Sequence, residues 1–277
     1  VRVVGPVTAL QLSGDLAGPA GHVVASGVVG GHDSVVSLRL EGRFDGVDLA
    51  PHFDWSPPTV LAGTFATHLR VPTADSLAPT TGTVQVTLDR PQVARVTFLR
   101  AGFALGLGHE AVRIDTLFVE HESGRLVAVG AVGRPGAPPA RVSFSAGVDT
   151  LASFTPLARW WRERSGGGAA GDAELDGDGR LTGTLSGTTD AWDVQGDLSL
   201  STLGFASVRA RALHVQGTYA PSGAGATVKV TVDAESLAVA GFRTGALHAS
   251  AQGPLDSVAI RADAALPLGV SLRTSLL

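Results

Sequence analysis

The chain has 277 residues, 44% of them hydrophobic and 17% charged, with 36 Gly. This composition is apolar enough to build a core and excludes intrinsic disorder. The absence of Cys excludes a disulfide framework, a thiolate metal site and a thiol nucleophile. A net charge of -4 without a basic cluster argues against nucleic acid, or an anionic membrane surface, as the main partner.

Apolar and polar residues alternate along most of the chain. A period of two is typical of a β-strand with one face toward an apolar interior and one toward water. Gly, Asp and Pro separate these stretches at about strand length, which indicates turns. The pattern therefore predicts an antiparallel all-β fold. Representative stretches are residues 36–40, 84–88 and 228–232, and representative turns are Gly18–Pro19, Arg90–Pro91, Asp176–Gly177 and Gly253–Pro254.

Two stretches depart from the alternation. Residues 47–51 predict a short helix or a turn. Residues 155–164 predict a short helix, because a capping-type Thr155 precedes Pro156 at the first helical position and glycines begin at Gly166. We place the internal boundary there, which divides the chain into a β-groove segment of residues 1–165 and a second segment, residues 166–277, that continues the same sheet.

The predicted helix contains a Trp pair, Trp160 and Trp161. Indole rings at such a position either cap the open end of a β-core or anchor the chain to a partner or a membrane interface. Capping is the favoured interpretation. The sequence has no run of about 18 apolar residues, so no membrane-spanning helix is predicted. Because it opens on Val1 and stops at Leu277 within a strand pattern, we expect a segment of a longer protein.

Self-comparison of the sequence finds degenerate repeats. The pattern Leu-x-Gly-x-Leu-x-Gly occurs at residues 12–18 and again at residues 181–187. A second pattern, at residues 112–119, is echoed at 208–215 and 242–249. A strand pair with one apolar face cannot bury that face alone, so stacked units must share a continuous apolar interior.

These repeats carry a family resemblance. Residues 179–198, GRLTGTLSGTTDAWDVQGDL, resemble the recurrent strand-turn-strand signature of the TamB/AsmA-like bacterial envelope proteins. Residues 112–130, with an Arg-x-Asp-x-Leu strand followed by Ser-Gly-Arg-Leu and a second strand, are similar to the same signature. Residues 46–51, GVDLAP, resemble the short helical punctuation of that group. The resemblance covers most of the chain.

The resemblance implies an elongated, curved, taco-like β-sheet whose hydrophobic groove carries lipid acyl chains between the two membranes of diderm bacteria. It also implies a periplasmic location, an inner-membrane anchor outside the present segment and, in some members, an Omp85-type outer-membrane partner. We therefore expect a lipid-conduit segment that carries phospholipid and supports outer-membrane biogenesis. The residues expected to line the groove are Leu181, Leu185, Val194, Leu198, Val208, Val215, Val228, Val230 and Val232.

The sequence offers little for catalysis or metal binding. His109–Glu110 and His121–Glu122 lack the spacing of a metalloprotease helix. Asp172, Glu174 and Asp176 mimic the start of a calcium loop, but Gly183 falls where the twelfth-position acid is needed. Equivalent repeat positions of His214 and His248 favour a structural role. We expect no enzyme and no cofactor.

Two other functions remain open on the residues alone. One is a scaffold or chaperone that offers sheet edges to outer-membrane proteins during assembly. The other is an extracellular β-solenoid adhesin with a closed, dry interior. The shortage of aromatic residues, 5% of the chain, favours an open groove over a plugged barrel.

Overall fold

The computed structural model describes residues 1–6, 9–32, 34–73, 78–165, 174–222, 225–266 and 270–276. Strands account for 71% of the chain and helices for 5%, and the sheet is antiparallel, which confirms the all-β prediction. The described residues form two compact units, Val1–Glu122 with Val127–Ala140 and Ser123–Leu126 with Arg141–Leu277. No helix in the described ranges is long and apolar enough to cross a membrane.

The first unit is a sheet in which most strands pair with the strand that follows them in the sequence. Its strands are β1 (Arg2–Val4), β2 (Leu10–Gly18), β3 (Gly21–His32), β4 (Val35–Val47), β5 (Thr59–Pro72), β6 (Thr81–Asp89), β7 (Gln92–Val93), β8 (Val96–Thr97), β9 (Arg100–Leu107) and β10 (Ala111–His121), and β11 (Gly124–Gly133) is divided between the units. The pairing order is β1, β2, β3, β4, β5, β6, β9, β10. The β7–β8 hairpin pairs separately with the start of β5.

Apolar residues of the first unit align in rows across its strands. In one row Gly42, Phe65, Val86, Phe103 and Leu117 lie opposite one another in turn. Paired residues of neighbouring strands point to the same face, so alternation along each strand becomes an apolar strip across the sheet. A methyl group on Gly42 would lie 2.8 Å from the Phe65 ring, so glycine here makes room for the aromatic side chain.

A small second core closes one end of this sheet, where β4 and β6 finish and β5 and β9 begin. We call residues 48–59 together with Pro91 and the β7–β8 hairpin the loop cap. Val96 is only 2% exposed, Pro91 is fully buried, and Ala94 and Thr59 are buried beside them. These small side chains and Val96 exclude water from the centre of the cap, whereas Phe53 and Trp55 are exposed at its surface.

The segment predicted as a short helix or a turn, residues 47–51, is a turn. Oδ1 of Asp48 accepts hydrogen bonds from the amide of Thr59 at 2.9 Å and from the amide of Ala50 at 3.1 Å. These bonds favour the ionised carboxylate, and they hold the pKa of Asp48 below its ordinary value, with the Thr59 amide as the largest cause. The amide of Leu49 donates to the Thr59 hydroxyl at 2.8 Å.

The second unit is also an antiparallel sheet, and it contains a short helix. Its elements are β12 (Ala140–Val148), a 3-10 turn (Ala152–Phe154), α1 (Thr155–Arg164), β13 (Leu175–Gly187), β14 (Trp192–Phe205), β15 (Val208–Ser222), β16 (Gly225–Ala234), β17 (Ser236–Val239), β18 (Phe242–Thr244), β19 (Leu247–Pro254), β20 (Ala259–Leu266) and β21 (Val270–Leu276). The order is β13, β14, β15, β16, β19, β20, β21. β17 extends β16 along β15, and β18 pairs with β17.

The helix predicted at residues 155–164 has those bounds. Its predicted Thr cap is wrong, because Phe154 occupies the capping position and makes no side-chain cap. The Thr155 hydroxyl instead accepts a hydrogen bond from the amide of Leu175 at 2.9 Å. Thr155 therefore ties the helix to the start of β13.

We call the 3-10 turn and α1 together the helical cap. Besides the Thr155 bond, the amide of Leu151 donates to the carbonyl of Gly177 at 2.7 Å, which fixes the entry to the cap against β13. Gly166 and the predicted boundary lie outside the described residues, so that boundary stays a prediction.

Most of the representative turns fall where they were predicted. Gly18–Pro19 enters the β2–β3 turn, Arg90–Pro91 follows β6, and Gly253–Pro254 ends β19. The turn predicted at Asp176–Gly177 is wrong, because both residues lie within β13. Gly177 has φ +130°, and a Cβ there would overlap the carbonyl oxygen of Thr202. This glycine permits close approach of two strands instead of a reversal of the chain.

The 12–18 and 181–187 repeats are both strand-turn-strand units with different registers. A two-residue turn pairs Leu12 with Gly27 in the first copy. A four-residue turn pairs Gly183 with Gly196 in the second. Sequence matching aligned the two glycines after the turn, whereas turn length decides which residue each of them faces.

The repeat shared by residues 208–215 and 242–249 is reproduced in the strand pairing. Residues 208–215 and 242–249 each follow a two-residue turn, between Phe205 and Val208 and between Val239 and Phe242. His214 and His248 then lie on either side of Asp233 in register. The sequence repeat therefore marks equivalent positions in the sheet.

Candidate functional site

The two faces of the second unit's sheet differ in chemistry. On one face Thr182, Asp197, Gln216 and Thr231 lie opposite one another in turn across β13 to β16. Nε2 of Gln216 donates to Oδ2 of Asp197 at 2.9 Å. We call this side the polar face. The other side, which carries Leu198 and its register partners, is the apolar face.

Eight of the nine predicted groove residues reach the apolar face by simple alternation. Leu181, Leu198, Val215 and Val232 form one row across β13 to β16. A second row contains Leu185, Val194 and Val228, and Val230 lies between the two rows in β16. The structure thus brings these side chains together on one surface.

Val208 reaches the apolar face through a β-bulge. Counting by twos from Val215 along β15 would place Val208 on the polar face. In β14, however, Ser201 and Thr202 both face polar Asp178: Thr202 pairs with it in register and Oγ of Ser201 donates to its carboxylate at 2.8 Å. The extra residue resets the alternation, and Ala212, with φ +46°, marks the corresponding irregularity in β15.

All nine side chains are half-buried. In the described part of this unit the buried apolar residues are Val142, Leu200, Ala210 and Ala234. A face covered by a second layer would bury its Val and Leu side chains completely. Within the unit the apolar face is therefore contacted mainly by its own neighbours and keeps accessible apolar area.

Several residues of the apolar face were not predicted from the sequence. Tyr219 joins the row of Val194 and Val228, and its ring lies 5.5 Å from that of Trp192. Leu200, Leu213 and Leu247 belong to a further row. Tyr219 stands two residues after Gly217 in an alternating stretch, so a longer alternation window would have found it.

A row of glycines crosses the apolar face between the two leucine-valine rows. Gly183, Gly196 and Gly217 lie opposite one another in β13, β14 and β15. A Cβ on Gly196 would meet nothing closer than 3.9 Å, whereas a Cβ on Gly183 would overlap the Phe144 ring. The row is therefore a shallow depression, filled at one end by an aromatic side chain.

The helical cap lies at the margin of the apolar face. The last row before it contains Phe205, Val208, Val239 and Phe242, and we call this the terminal row. The guanidinium of Arg162 lies over the Phe205 ring at 5.9 Å from its centroid. The three Arg of α1 were not predicted as part of a site, because only the net charge of the whole chain was considered.

The polar face carries two histidines, and each contacts an aspartate carboxylate on a neighbouring strand. Nδ1 of His248 lies 2.6 Å from Oδ1 of Asp233. His214 contacts Ser199 through Nδ1 at 3.0 Å and Asp197 through Nε2 at 3.5 Å. These contacts are exposed, so each adds little stability.

Two concavities on this unit include residues of the polar face. One of about 590 Å³ is lined by Thr182, Gln195, Asp197 and Gln216 among others. Another of about 890 Å³ includes Arg180 and His214. Both linings also include apolar groups, Phe144 in the first and Leu200 with Leu213 in the second, so they are mixed in character.

The other sequence candidates stay apart. His109 and Glu110 lie in the β9–β10 turn, and Glu122 lies in the turn after His121. Among the described residues no group of three or more His, Asp or Glu could hold a metal ion. Asp172 lies outside the described residues.

Comparisons with family models, curated proteins and solved structures gave no match.

Proposed function

We propose that this chain is a lipid-conduit segment of the TamB/AsmA-like type, in which phospholipid acyl chains move along the apolar face. The observation that carries the proposal is the continuity of that face. Half-buried Leu and Val side chains stand in register from β13 to β16, and Ala249 and Ala262 extend the row of Val232 through β19 and β20.

The proposed mechanism is non-covalent. Each methylene that leaves water for the apolar face contributes about 0.8 kcal/mol, so an acyl chain gains several kcal/mol from contact alone. Within a row, similar side chains repeat at the strand spacing of about 4.8 Å. An acyl chain can therefore shift from one position to the next with little change in contact energy, while the headgroup stays in water.

The wider setting is part of the proposal. A periplasmic location, an inner-membrane anchor elsewhere in the protein and an Omp85-type partner follow from the resemblance in residues 112–130 and 179–198. Such a segment would support outer-membrane biogenesis by passing phospholipid onward.

A charge on the apolar face tests the proposal. We expect the purified chain to retain phospholipid in native mass spectrometry, and Val230→Asp to reduce the bound lipid at least about tenfold, since a buried carboxylate costs more than the 1.4 kcal/mol that tenfold represents. Thr231→Asp is the matched control, with the same new residue one position away on the polar face. It should retain lipid as the unaltered chain does.

Two results would count against the conduit. One is an unaltered chain that carries no phospholipid, and the other is equal lipid loss in both variants. Binding of unfolded outer-membrane protein that Val230→Asp leaves unchanged would instead favour a scaffold that uses strand edges.

A further inference from the structure

The terminal row combines exposed apolar area with an adjacent cation. Phe242 is 58% exposed and Val239 is 40% exposed, although both belong to the apolar face. At the other end of the row Arg162 lies over Phe205. Apolar surface beside a guanidinium matches an amphiphile, which offers an acyl chain to one and an anionic group to the other.

The helix supplies more positive charge than this one contact. α1 contains Arg159, Arg162 and Arg164 against Glu163, a net charge of +2 within a chain of net charge -4. Arg164 is exposed, and Trp161 is 66% exposed on the same short helix. Arginine beside an exposed indole is the composition of segments that meet phospholipid headgroups.

We propose that α1 and the terminal row form a headgroup-selective lipid site, an inference that rests on the proposed function. The acyl chain lies along the terminal row, and Arg162 and Arg164, in the last turn of α1, bind the phosphate of a net-negative phospholipid. The site selects among lipids by headgroup charge, whereas the rest of the apolar face accepts any acyl chain.

Charge complementarity favours a phospholipid over a protein partner. The positive charge of α1, carried by exposed Arg164 and by half-buried Arg159 and Arg162, lies at one end of an apolar row that is four strands wide. A phospholipid has this distribution, with one anionic group at the end of an extended apolar chain. The planar guanidinium group of arginine can also donate two parallel hydrogen bonds to two oxygens of one phosphate.

Competition between two phospholipids tests the site. The full chain is loaded from an equimolar mixture of phosphatidylglycerol and phosphatidylethanolamine with identical acyl chains, and the bound ratio is read by native mass spectrometry. We expect at least about fivefold preference for phosphatidylglycerol, the factor that one arginine near an anionic headgroup provides. Arg162→Gln with Arg164→Gln should bring the ratio close to one.

The control changes the same charge elsewhere. Arg180→Gln with Arg211→Gln removes two exposed arginines from the polar face of the same unit and should leave the ratio unchanged. Circular dichroism checks that α1 persists, and Arg164→Gln alone, at an exposed position, should lower the ratio about half as far on a logarithmic scale.

The outcomes separate this site from the conduit. Equal binding of the two lipids by the unaltered chain overturns the headgroup site while the conduit stands. The same ratio change in the polar-face control also overturns it, because charge at any position would then suffice. Loss of both lipids in Val230→Asp, with the ratio of the residual lipid kept, supports both proposals, and an unaltered chain without lipid removes both.

Discussion

The two units close the ends of their strands in different ways. The loop cap of the first unit is a packed core in which Val96 is 2% exposed and Pro91 is fully buried. The helical cap of the second unit has one buried residue in α1, Thr155, and it leaves Trp161 66% exposed. The centre of the first cap is therefore the better packed, although Trp55 at its surface is exposed, and the hydrogen bonds of Leu151 and Thr155 help to hold the second.

The two caps therefore differ in their buried centres more than in their surfaces. The loop cap exposes Trp55 as the helical cap exposes Trp161. The three arginines of α1 distinguish the helical cap as a candidate binding element. Elements of low local stability are those that ligands most readily order.

The largest loss of stability is expected at a packing feature that both units contain, a glycine against an aromatic ring. Gly42→Ala and Gly183→Ala each place a methyl group against an aromatic ring and a neighbouring backbone oxygen. We expect each to lower the free energy of unfolding by about 3 kcal/mol, as overpacking does. Gly196→Ala, the register partner of Gly183 with open space around it, should cost less than about 1 kcal/mol. Denaturant unfolding measures all three, and equal effects at Gly183 and Gly196 would refute the packing assignment.

The packed core of the loop cap comes next. Val96→Ala removes two buried methyl groups and should cost about 2 kcal/mol in the same measurement. Val239→Ala makes the same change at a site that is 40% exposed in the second unit and should cost clearly less. If the two costs are equal, the loop cap is no better packed than the exposed margin of the apolar face.

The hydrogen bond of the helical cap should have a smaller effect. Thr155→Val keeps the shape but removes the hydroxyl that accepts from the Leu175 amide, and we expect a loss of about 1 kcal/mol. Hydrogen exchange at the Leu175 amide should accelerate while exchange at Thr59 in the loop cap stays unchanged. Unchanged protection of Leu175 would show that α1 is held mainly by other contacts.

Acid should weaken the hydrogen bonds of the loop cap. The pKa of Asp48 lies below its ordinary value of 3.8, so its stabilising effect is complete above that value and is lost as the pH falls through the lower folded pKa. The amide proton of Thr59 should therefore report a transition below pH 3.8 by NMR. Asp48→Asn should abolish this transition, and its persistence in the variant would assign it to another group.

Much of the fold was predictable because alternation is a local property. The strands around residues 36–40, 84–88 and 228–232 and the helix at 155–164 follow from period-two patterning and from Pro156 in the first turn of the helix. The loop cap was not predictable. Its hairpin strands are two residues each, too short to show any period, and its core comes from contacts between distant residues.

The candidate site shows the same division. Leu198, Val215 and Val232 follow from alternation alone, whereas the face of Val208 depends on a bulge that no residue pattern announces. The false turn at Asp176–Gly177 has a related cause, because glycine serves both reversal of the chain and close strand approach. Only the neighbouring strand decides between the two.

The turns of this chain show how it can change length. In six of the described hairpins the residues between paired partners number two, four or six, whereas three residues separate Leu266 from Val270. Turn length can therefore vary, because the apolar positions of the two strands set their register. A residue added to a turn leaves the apolar face intact when the strands keep their partners. A residue added within a strand, as at Ser201, needs a bulge to keep the later side chains on their faces.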